Sequence, residues 1–269
     1  MPACDVVIVN FNTGELLSEC VDAVKKSLHP VNIFLIDNHS SDTSMQPFKG
    51  ESEIQVHLRQ KNFGFASSVN YGAEKGESEF ILILNPDCII EPNTIELLIA
   101  DFKNSEKLGM VGCLVTNSDG TEQKASRRQL PTFWRTLMTV SKLEKLSNRV
   151  PILKGVNLNH QEMPSTNLKV EAISGAIMLV KRTVFEELDG LDEKFPMHFE
   201  DLDLMKRIQS LGYEISFNPN VKVKHYQGVS SQTNPRVEKM KRQGLLRYFK
   251  KHGTSLSHWI IKKALKKSL

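Results

Sequence analysis

The chain has 269 residues, 40% hydrophobic and 25% charged, a composition that suits one ordinary globular core and excludes disordered, collagen-like and disulfide-stapled classes. Four dispersed cysteines (Cys4, Cys20, Cys88 and Cys113), with no CxxC pair and no histidine at ligand spacing, read as small buried apolar residues in a reducing compartment. The net charge of +4 conceals a polarity along the chain, because residues 236–269 hold eleven Lys/Arg against the single acid Glu238, leaving a mildly acidic body and a strongly basic tail.

Asp5 to Asn10 is predicted as a buried strand, and with no basic and apolar leader before it the protein is expected in the cytoplasm. Thr13 is placed to cap a helix whose apolar residues Leu16, Leu17, Cys20, Val21 and Val24 share one face. Val31 to Ile36 forms a second strand, closed by the polar turn Asp37 to Asp42. Ile54 to Leu58 forms a third, leading through Asn62-Phe63-Gly64-Phe65 into a helix that runs past Gly72. Phe80 to Leu84 is a fourth strand, stopped by Asn85-Pro86-Asp87; Pro92 opens another helix, and Met110 to Val115 is a fifth strand. These apolar runs are strand-sized, and none is long enough to span a bilayer.

From Gln129 to Asn167 the pattern weakens: a helix is expected over Thr132 to Leu146, then a long mobile loop. Regularity returns at Val170 to Val180, followed by a helix from Glu200 to Leu211, short strands at Tyr213–Phe217 and Val221–His225, and a basic helical tail from Arg236. Strands alternating with helices predict an α/β fold with a mostly parallel, Rossmann-like sheet covered by helices on both faces. Ligands in such sheets sit beyond the carboxyl ends of the strands, where the turns at 37–42 and 85–87 both lie.

No GxGxxG, Walker loop, HExxH or GxSxG is present, so the chemistry must rest on other groups. Asp87, projected by a proline past a strand end, suits an oxygen ligand to Mg²⁺ or Mn²⁺, although Asn-Pro-Asp alone reads first as a strand-terminating turn. The acids of Phe199-Glu200-Asp201-Leu202-Asp203 open a helix, a place where negative charge is favourable without any function. His225 ends a short strand and by itself reads as structural.

Eight segments in order change that reading: Val6 to Asn12, Asp37 to Asp42, Asn62 to Gly72, Leu84 to Asp87, Ser174 to Ala176, Gly190 to Phe195, Phe199 to Leu204, and His225 to Ser231. Together, over roughly residues 5 to 252, they resemble glycosyltransferase family 2, and within it the rhamnosyltransferase-like branch. The resemblance implies a GT-A fold, a divalent Mg²⁺ or Mn²⁺ cofactor and inversion at the anomeric carbon. Asp87 matches the last acid of the family's DxD motif, whose first acid is here Asn85, a departure usual in that branch. Asp201 matches the catalytic base, and His225 matches a histidine that completes the metal site in some relatives.

For the donor nucleotide the resemblance points to Val9, Asn10, Asn12, Asp37, Asn38, Asn62, Gly64, Asn70 and Asn85. For the acceptor or transferred sugar it points to Ser174, Gly175, Asp192 and Glu200. Residues 1–235 would form the catalytic domain, with a nucleotide-binding half (1–115) and an acceptor-binding half (116–235), followed by the tail at 236–269. The implied partners are a sugar nucleotide, dTDP-rhamnose for this branch or a UDP-sugar, and a glycan or lipid-linked acceptor. The tail, with Leu245, Leu246, Tyr248, Phe249 and Trp259-Ile260-Ile261 among lysines, is expected to hold the protein peripherally on the cytoplasmic membrane face rather than to build the site. Nucleic-acid binding is not expected, since no recognised module is present. Two other classes compete: a nucleotidyltransferase, which would need a Gly-rich basic loop after the first strand that Asn10 to Gly14 does not supply, and a non-catalytic sugar-nucleotide or membrane-binding module.

Overall fold

The computed structural model describes residues 4–147, 149–226 and 235–266. Strand and helix alternate through the first half: β1 (Cys4–Asn10), α1 (Leu16–Lys25), β2 (Val31–Asp37), β3 (Gln55–Leu58), α2 (Phe65–Ala73), β4 (Phe80–Leu84), β5 (Cys88–Ile89), α3 (Thr94–Asp101) and β6 (Leu108–Thr116). The second half comprises β7 (Arg127–Arg128), α4 (Phe133–Val140), β8 (Leu168–Val170), β9 (Ala172–Ile173), β10 (Ile177–Lys181), α5 (Arg182–Glu187), α6 (Glu200–Ser210) and β11 (Glu214–His225). Two helices close it, α7 (Pro235–His252) and α8 (Ser255–Lys266).

The main sheet runs β3-β2-β1-β4-β10-β6-β11-β5, with β8 added alongside β11. β3, β2, β1 and β4 are mutually parallel, and so are β6 and β11. β10 enters antiparallel between β4 and β6. The central strands carry long apolar runs, Val6 to Val9, Ile33 to Ile36 and Phe80 to Leu84, because both faces are covered. Val7, Val9, Ile81 and Ile83 feed one core, while Val6, Ile8, Leu82 and Leu84 feed the other. Each such buried side chain contributes roughly 1.5–3 kcal/mol. At the far end of β1 from the expected site, fully buried Asp5 receives Arg182 at 2.7 Å, Asn32 at 2.8 Å and the Ser78 hydroxyl at 2.6 Å.

Three expectations need correction. The strands expected at 213–217 and 221–225 are one strand, β11, whose register against β6 shifts between Asn218 and Lys222. That irregularity accommodates Pro219, which has no N–H for the ladder. The helix expected to reach Leu146 stops at Val140, and Lys142 adopts a left-handed φ of 61°. The loop after it is anchored from inside. Buried Arg127 pairs with Glu122 and donates to the carbonyls of Gln161 and Glu162, and Glu144 receives Thr139 and Asn157.

The third correction concerns the tail. Tyr248 and Phe249 of α7 and Ile261 of α8 are part of the larger core, with Leu245 and Leu246 packed against it. The cations of α7 also turn inward: Arg247 and Lys251 bind Asp192, while Lys251 and His252 bind fully buried Asp203. Its apolar face therefore covers protein rather than lipid. On α8, Leu256, Trp259, Lys262 and Lys263 remain exposed. No helix among the described residues is long and apolar enough to cross a membrane. All four cysteines are buried and unbridged.

Candidate active site

The apolar run of β4 ends at Leu84, and the next three residues turn out of the sheet. β5 then pairs antiparallel with the end of β11, setting Cys88 against His225. This pairing brings His225 Nε2 to 3.1 Å from the Asp87 carboxylate. Gln123 fixes the ring: its amide nitrogen donates to the His225 carbonyl at 2.8 Å, so its Oε1 faces Nδ1 at 2.9 Å. Nδ1 thus donates to Gln123, and Nε2 faces Asp87, with the Asn85 amide nitrogen beside it at 3.4 Å. With Nε2 unprotonated, the imidazole and the Asp87 carboxylate 3.1 Å away would be two electron-pair donors converging on one point; with Nε2 protonated they form an ion pair. That donor set fits a divalent cation; carboxylate oxygen suits Mg²⁺ and Mn²⁺, and the histidine nitrogen favours the latter. The Cys88 sulfur lies within 4.8 Å of both of these ligand atoms; its thiol is buried, contacts the Ala176 carbonyl and is pushed well above its ordinary pKa by burial.

The second half of the site starts from a strained turn. His198 and Phe199 both adopt left-handed φ values, 61° and 72°, before α6 begins. Such conformations cost about 1–3 kcal/mol each in ordinary residues and persist where surrounding structure enforces them. Here α7 presses on the turn: a methyl on Gly244 would lie 2.7 Å from the His198 carbonyl oxygen. The turn delivers Asp201 to the first turn of α6, where the helix dipole favours its charge.

Arg128 on β7 donates to Asp201 Oδ2 at 2.7 Å and to the Ile173 carbonyl at 2.6 Å, leaving Oδ1 without a hydrogen bond among the described residues. Asp201 opens into a pocket of ≈ 370 Å³ lined by Arg128, His198, Phe199, Leu202, Lys241, Arg242 and Leu245. The expectation that the tail stays clear of the site therefore fails for α7. Beside Asp201, burial pushes the Glu200 carboxyl up to about 8, assisted by the charge of Asp201. At neutral pH Glu200 is a protonated acid able to donate a hydrogen bond. Burial also lowers His198, which is neutral there.

The Ser174-Gly175-Ala176 turn joins the two halves. The Ala176 carbonyl accepts the Asn85 N–H at 2.8 Å, and a methyl on Gly175 would lie 2.8 Å from Asp201 Oδ2. The carboxylate–histidine pair and Asp201 accordingly flank one turn at the same edge of the sheet.

A family model for glycosyl transferase family 2 matches residues 5–188, well over half of the chain. The chain belongs to glycosyl transferase family 2. It is 25% identical over 243 residues to the N-acetylglucosaminyl-diphospho-decaprenol L-rhamnosyltransferase of Mycobacterium tuberculosis, covering 86% of this chain and 78% of that one. It is 22% identical over 241 residues to the O-antigen chain rhamnosyltransferase RfbN of Salmonella typhimurium, covering 87% and 68%. Among solved structures, mannosyltransferase PcManGT from Pyrobaculum calidifontis, in complex with GDP-Man and Mn²⁺, matches with a TM-score of 0.63 at 15% identity, over 93% of this chain and 64% of that one. GalNAc-T7 with UDP, GalNAc and Mn²⁺ gives 0.65 at 18%, over 90% and 47%. The fold of this family 2 member is GT-A, as its motifs implied, and it is a rhamnosyltransferase-like glycosyltransferase.

The family's donor-side residues gather at the ends of β1, β2 and β3. Buried Asn10, next to Val9, donates to Asp37 Oδ1 at 3.0 Å and to the Ser40 and Ser44 hydroxyls. Asn12 Oδ1 accepts the Ser41 N–H at 2.7 Å. Asn38 holds the Phe63 N–H and donates to Asn62, whose oxygen also accepts the Gly64 N–H at 2.9 Å. These side chains brace three turns around one edge. Asn70 and Asp192 point elsewhere. Asn70 bonds both Leu191 backbone groups and Glu193, and Asp192, held well below its usual range by Lys251 and Arg247 against the opposing effect of burial, clamps α7. Ser174 accepts the Ala176 N–H within its own turn. Residues 227–231 of the His225 segment, and Lys267 of the tail, lie outside the described residues.

Sequence reasoning missed Gln123, Arg128, Lys241 and Arg242.

Proposed function

We propose that this protein is a metal-dependent, inverting glycosyltransferase that moves a sugar, L-rhamnose from dTDP-rhamnose, to a hydroxyl of a lipid-linked glycan. The observation that carries the reading is the shared Ser174-Gly175-Ala176 turn, with the Asp87–His225 pair on one side and Asp201 on the other. Residues 1–115 supply the donor-side edge, and residues 116–235 with α7 supply the acceptor side. The rhamnose donor and the lipid-linked acceptor are supported by what the Mycobacterium tuberculosis and Salmonella typhimurium relatives are named for.

Asp201 Oδ1 takes the proton of the acceptor hydroxyl as its oxygen attacks the anomeric carbon, and the bond from that carbon to the nucleoside diphosphate breaks on the opposite face. Arg128 holds Oδ2, so the carboxylate cannot rotate away from the acceptor. Glu200, buried beside Asp201 and protonated, adds no second negative charge next to the base, and Leu202, Phe199 and Leu245 wall the acceptor against water. A Mg²⁺ or Mn²⁺ ion held by Asp87 and His225 would supply the positive charge that lets the diphosphate depart.

Asp201→Asn tests the assignment. With Mn²⁺, dTDP-rhamnose and a polyprenyl-diphosphate-linked glycan, it should bind donor as tightly as wild type and lose about 10²- to 10⁴-fold in transfer rate. A rate within about threefold of wild type would refute the base. Parallel reactions with UDP- and GDP-sugars identify the donor independently of that result.

A further inference from the structure

Between residues 134 and 152 seven large apolar side chains lie exposed, among them Val140 at 74%, Ile152 at 70% and Trp134 at 46%. Scattered exposed apolar residues are ordinary, but a concentration of this kind in nineteen residues marks an interaction surface. The segment comprises α4 and the two tight turns after it. It is one unit, because the Trp134 indole N–H donates to the Ile152 carbonyl at 2.7 Å and Glu144 ties Thr139 to Asn157. With its N–H satisfied, the Trp134 ring is free to enter an apolar layer.

The unpaired charge on this surface has one sign, since Arg135 of α4 is matched by Glu171. Lys142, Lys145, Arg149 and Lys154 are exposed among the apolar residues, and the only acid from 133 to 161 is Glu144, which faces inward. A protein partner could match the apolar side chains alone. A surface that is apolar, aromatic and uniformly basic complements the interface of an anionic bilayer, where lysines reach headgroups and tryptophan sits at the acyl boundary.

We infer that the 134–152 surface docks this protein onto an anionic lipid bilayer. The docking element differs from the C-terminal tail expected from sequence, whose α7 apolar face is buried. It is also coupled to the site: the chain leaves Arg128 to enter α4 and returns beside it, Gln129 N–H bonding the Val156 carbonyl at 2.8 Å and Asn157 bridging to Arg128. Docking therefore sets the arginine that holds Asp201 close to the membrane plane, where a lipid-linked acceptor presents its sugar.

The two tryptophans of the chain, Trp134 and Trp259, make the test direct. Trp259→Phe leaves Trp134 as sole reporter, and Trp134→Phe leaves Trp259 on α8. With phosphatidylglycerol–phosphatidylcholine vesicles, Trp134 emission should shift to the blue and be quenched by bromine-labelled acyl chains. The shift should weaken in high salt and be absent with pure phosphatidylcholine. Lys142→Glu/Lys145→Glu/Arg149→Glu, at exposed positions, should lower the partition coefficient at least tenfold, since each basic residue near an anionic surface contributes about fivefold. Its melting temperature should match wild type.

Flotation without Trp134 quenching, equal partitioning of the charge variant, no binding by wild type, or a homodimer that buries Trp134 would each overturn the inference. Quenching of Trp259 alone would transfer docking to α8 and overturn it as well. No sugar nucleotide enters the assay, so its failure leaves the transferase reading untouched.

Discussion

Replacing Gly175 by alanine probes how finely Asp201 must be placed. The backbone at 175 is not left-handed, so alanine meets no conformational penalty and its only effect is the added methyl. That methyl would lie 2.8 Å from Asp201 Oδ2, 3.1 Å from its Cβ and 3.2 Å from its Cγ. A carbon and an oxygen in such contact rest at roughly 3.3 Å or more, so the carboxylate must retreat by about 0.5 Å. It cannot swing freely, because Arg128 grips Oδ2 at 2.7 Å and the Cβ is crowded as well. A misplacement of about 1 Å can cost about 10²-fold in rate, so about 0.5 Å should cost about tenfold, or 1.4 kcal/mol. Overpacking should also lower stability by about 1–3 kcal/mol. Initial rates of sugar transfer should show kcat reduced about tenfold, while calorimetric affinity for the nucleoside diphosphate with Mn²⁺ is unchanged. A Gly175→Ala enzyme within about threefold of wild type would show that this approach does not position the base.

Gln123→Leu should raise the Mn²⁺ concentration for half-maximal activity by about 10- to 100-fold with kcat at saturating metal nearly unchanged, because it frees the ring whose Nδ1 it now holds; superimposable titrations would refute the role. Asp203→Ala strands Arg207, Lys251 and His252 around a fully buried position and should cost about 3–5 kcal/mol in urea unfolding, whereas a loss below about 1 kcal/mol would mean the cluster is solvated. Glu200 rises from 4.5 to about 8, so across that window the folded chain keeps a proton the unfolded chain has lost, and stability falls as pH rises by up to about 1.4 kcal/mol per unit. Glu200→Gln removes that loss; its melting temperature relative to wild type should therefore improve from pH 5 to pH 8, and a difference independent of pH would sink the assignment.

The strands β1, β2, β4 and β6 were legible because burial on both faces demands long apolar runs. Asp87, Asp201 and His225 were legible only through the order of short motifs, each of which is locally ordinary. What could not be read depends on partners distant in sequence. Nothing in Ile177 to Lys181 reveals that this run enters antiparallel between β4 and β6. Gln123 acts on a histidine 102 residues later, and Arg128 on a carboxylate 73 residues later. The basic face of α7 resembled a lipid-binding stripe because Asp192 and Asp203, which neutralise it, lie on other elements. The shape of the segment after Val140 is not legible in sequence, since the contacts that give it, from Glu144 and Trp134, obey no helical or strand period.

The insertion of β10 between β4 and β6 also dictates when the protein can become itself on the ribosome. β4 is complete at residue 84, but its second neighbour ends at residue 181, and β6 has no neighbour in the sheet until the same strand arrives. At a synthesis rate of about 5–20 residues per second, the interval lasts roughly 5–20 s. Throughout it, a nascent chain carries an apolar four-stranded sheet whose β4 edge is open, joined from residue 116 by a detached nine-residue apolar strand, β6. Such an edge is a template for pairing with any other extended chain. Synthesis in cells, rather than equilibrium stability, should therefore set how much active protein accumulates, and slower translation between residues 84 and 181 should lengthen the exposure rather than aid folding.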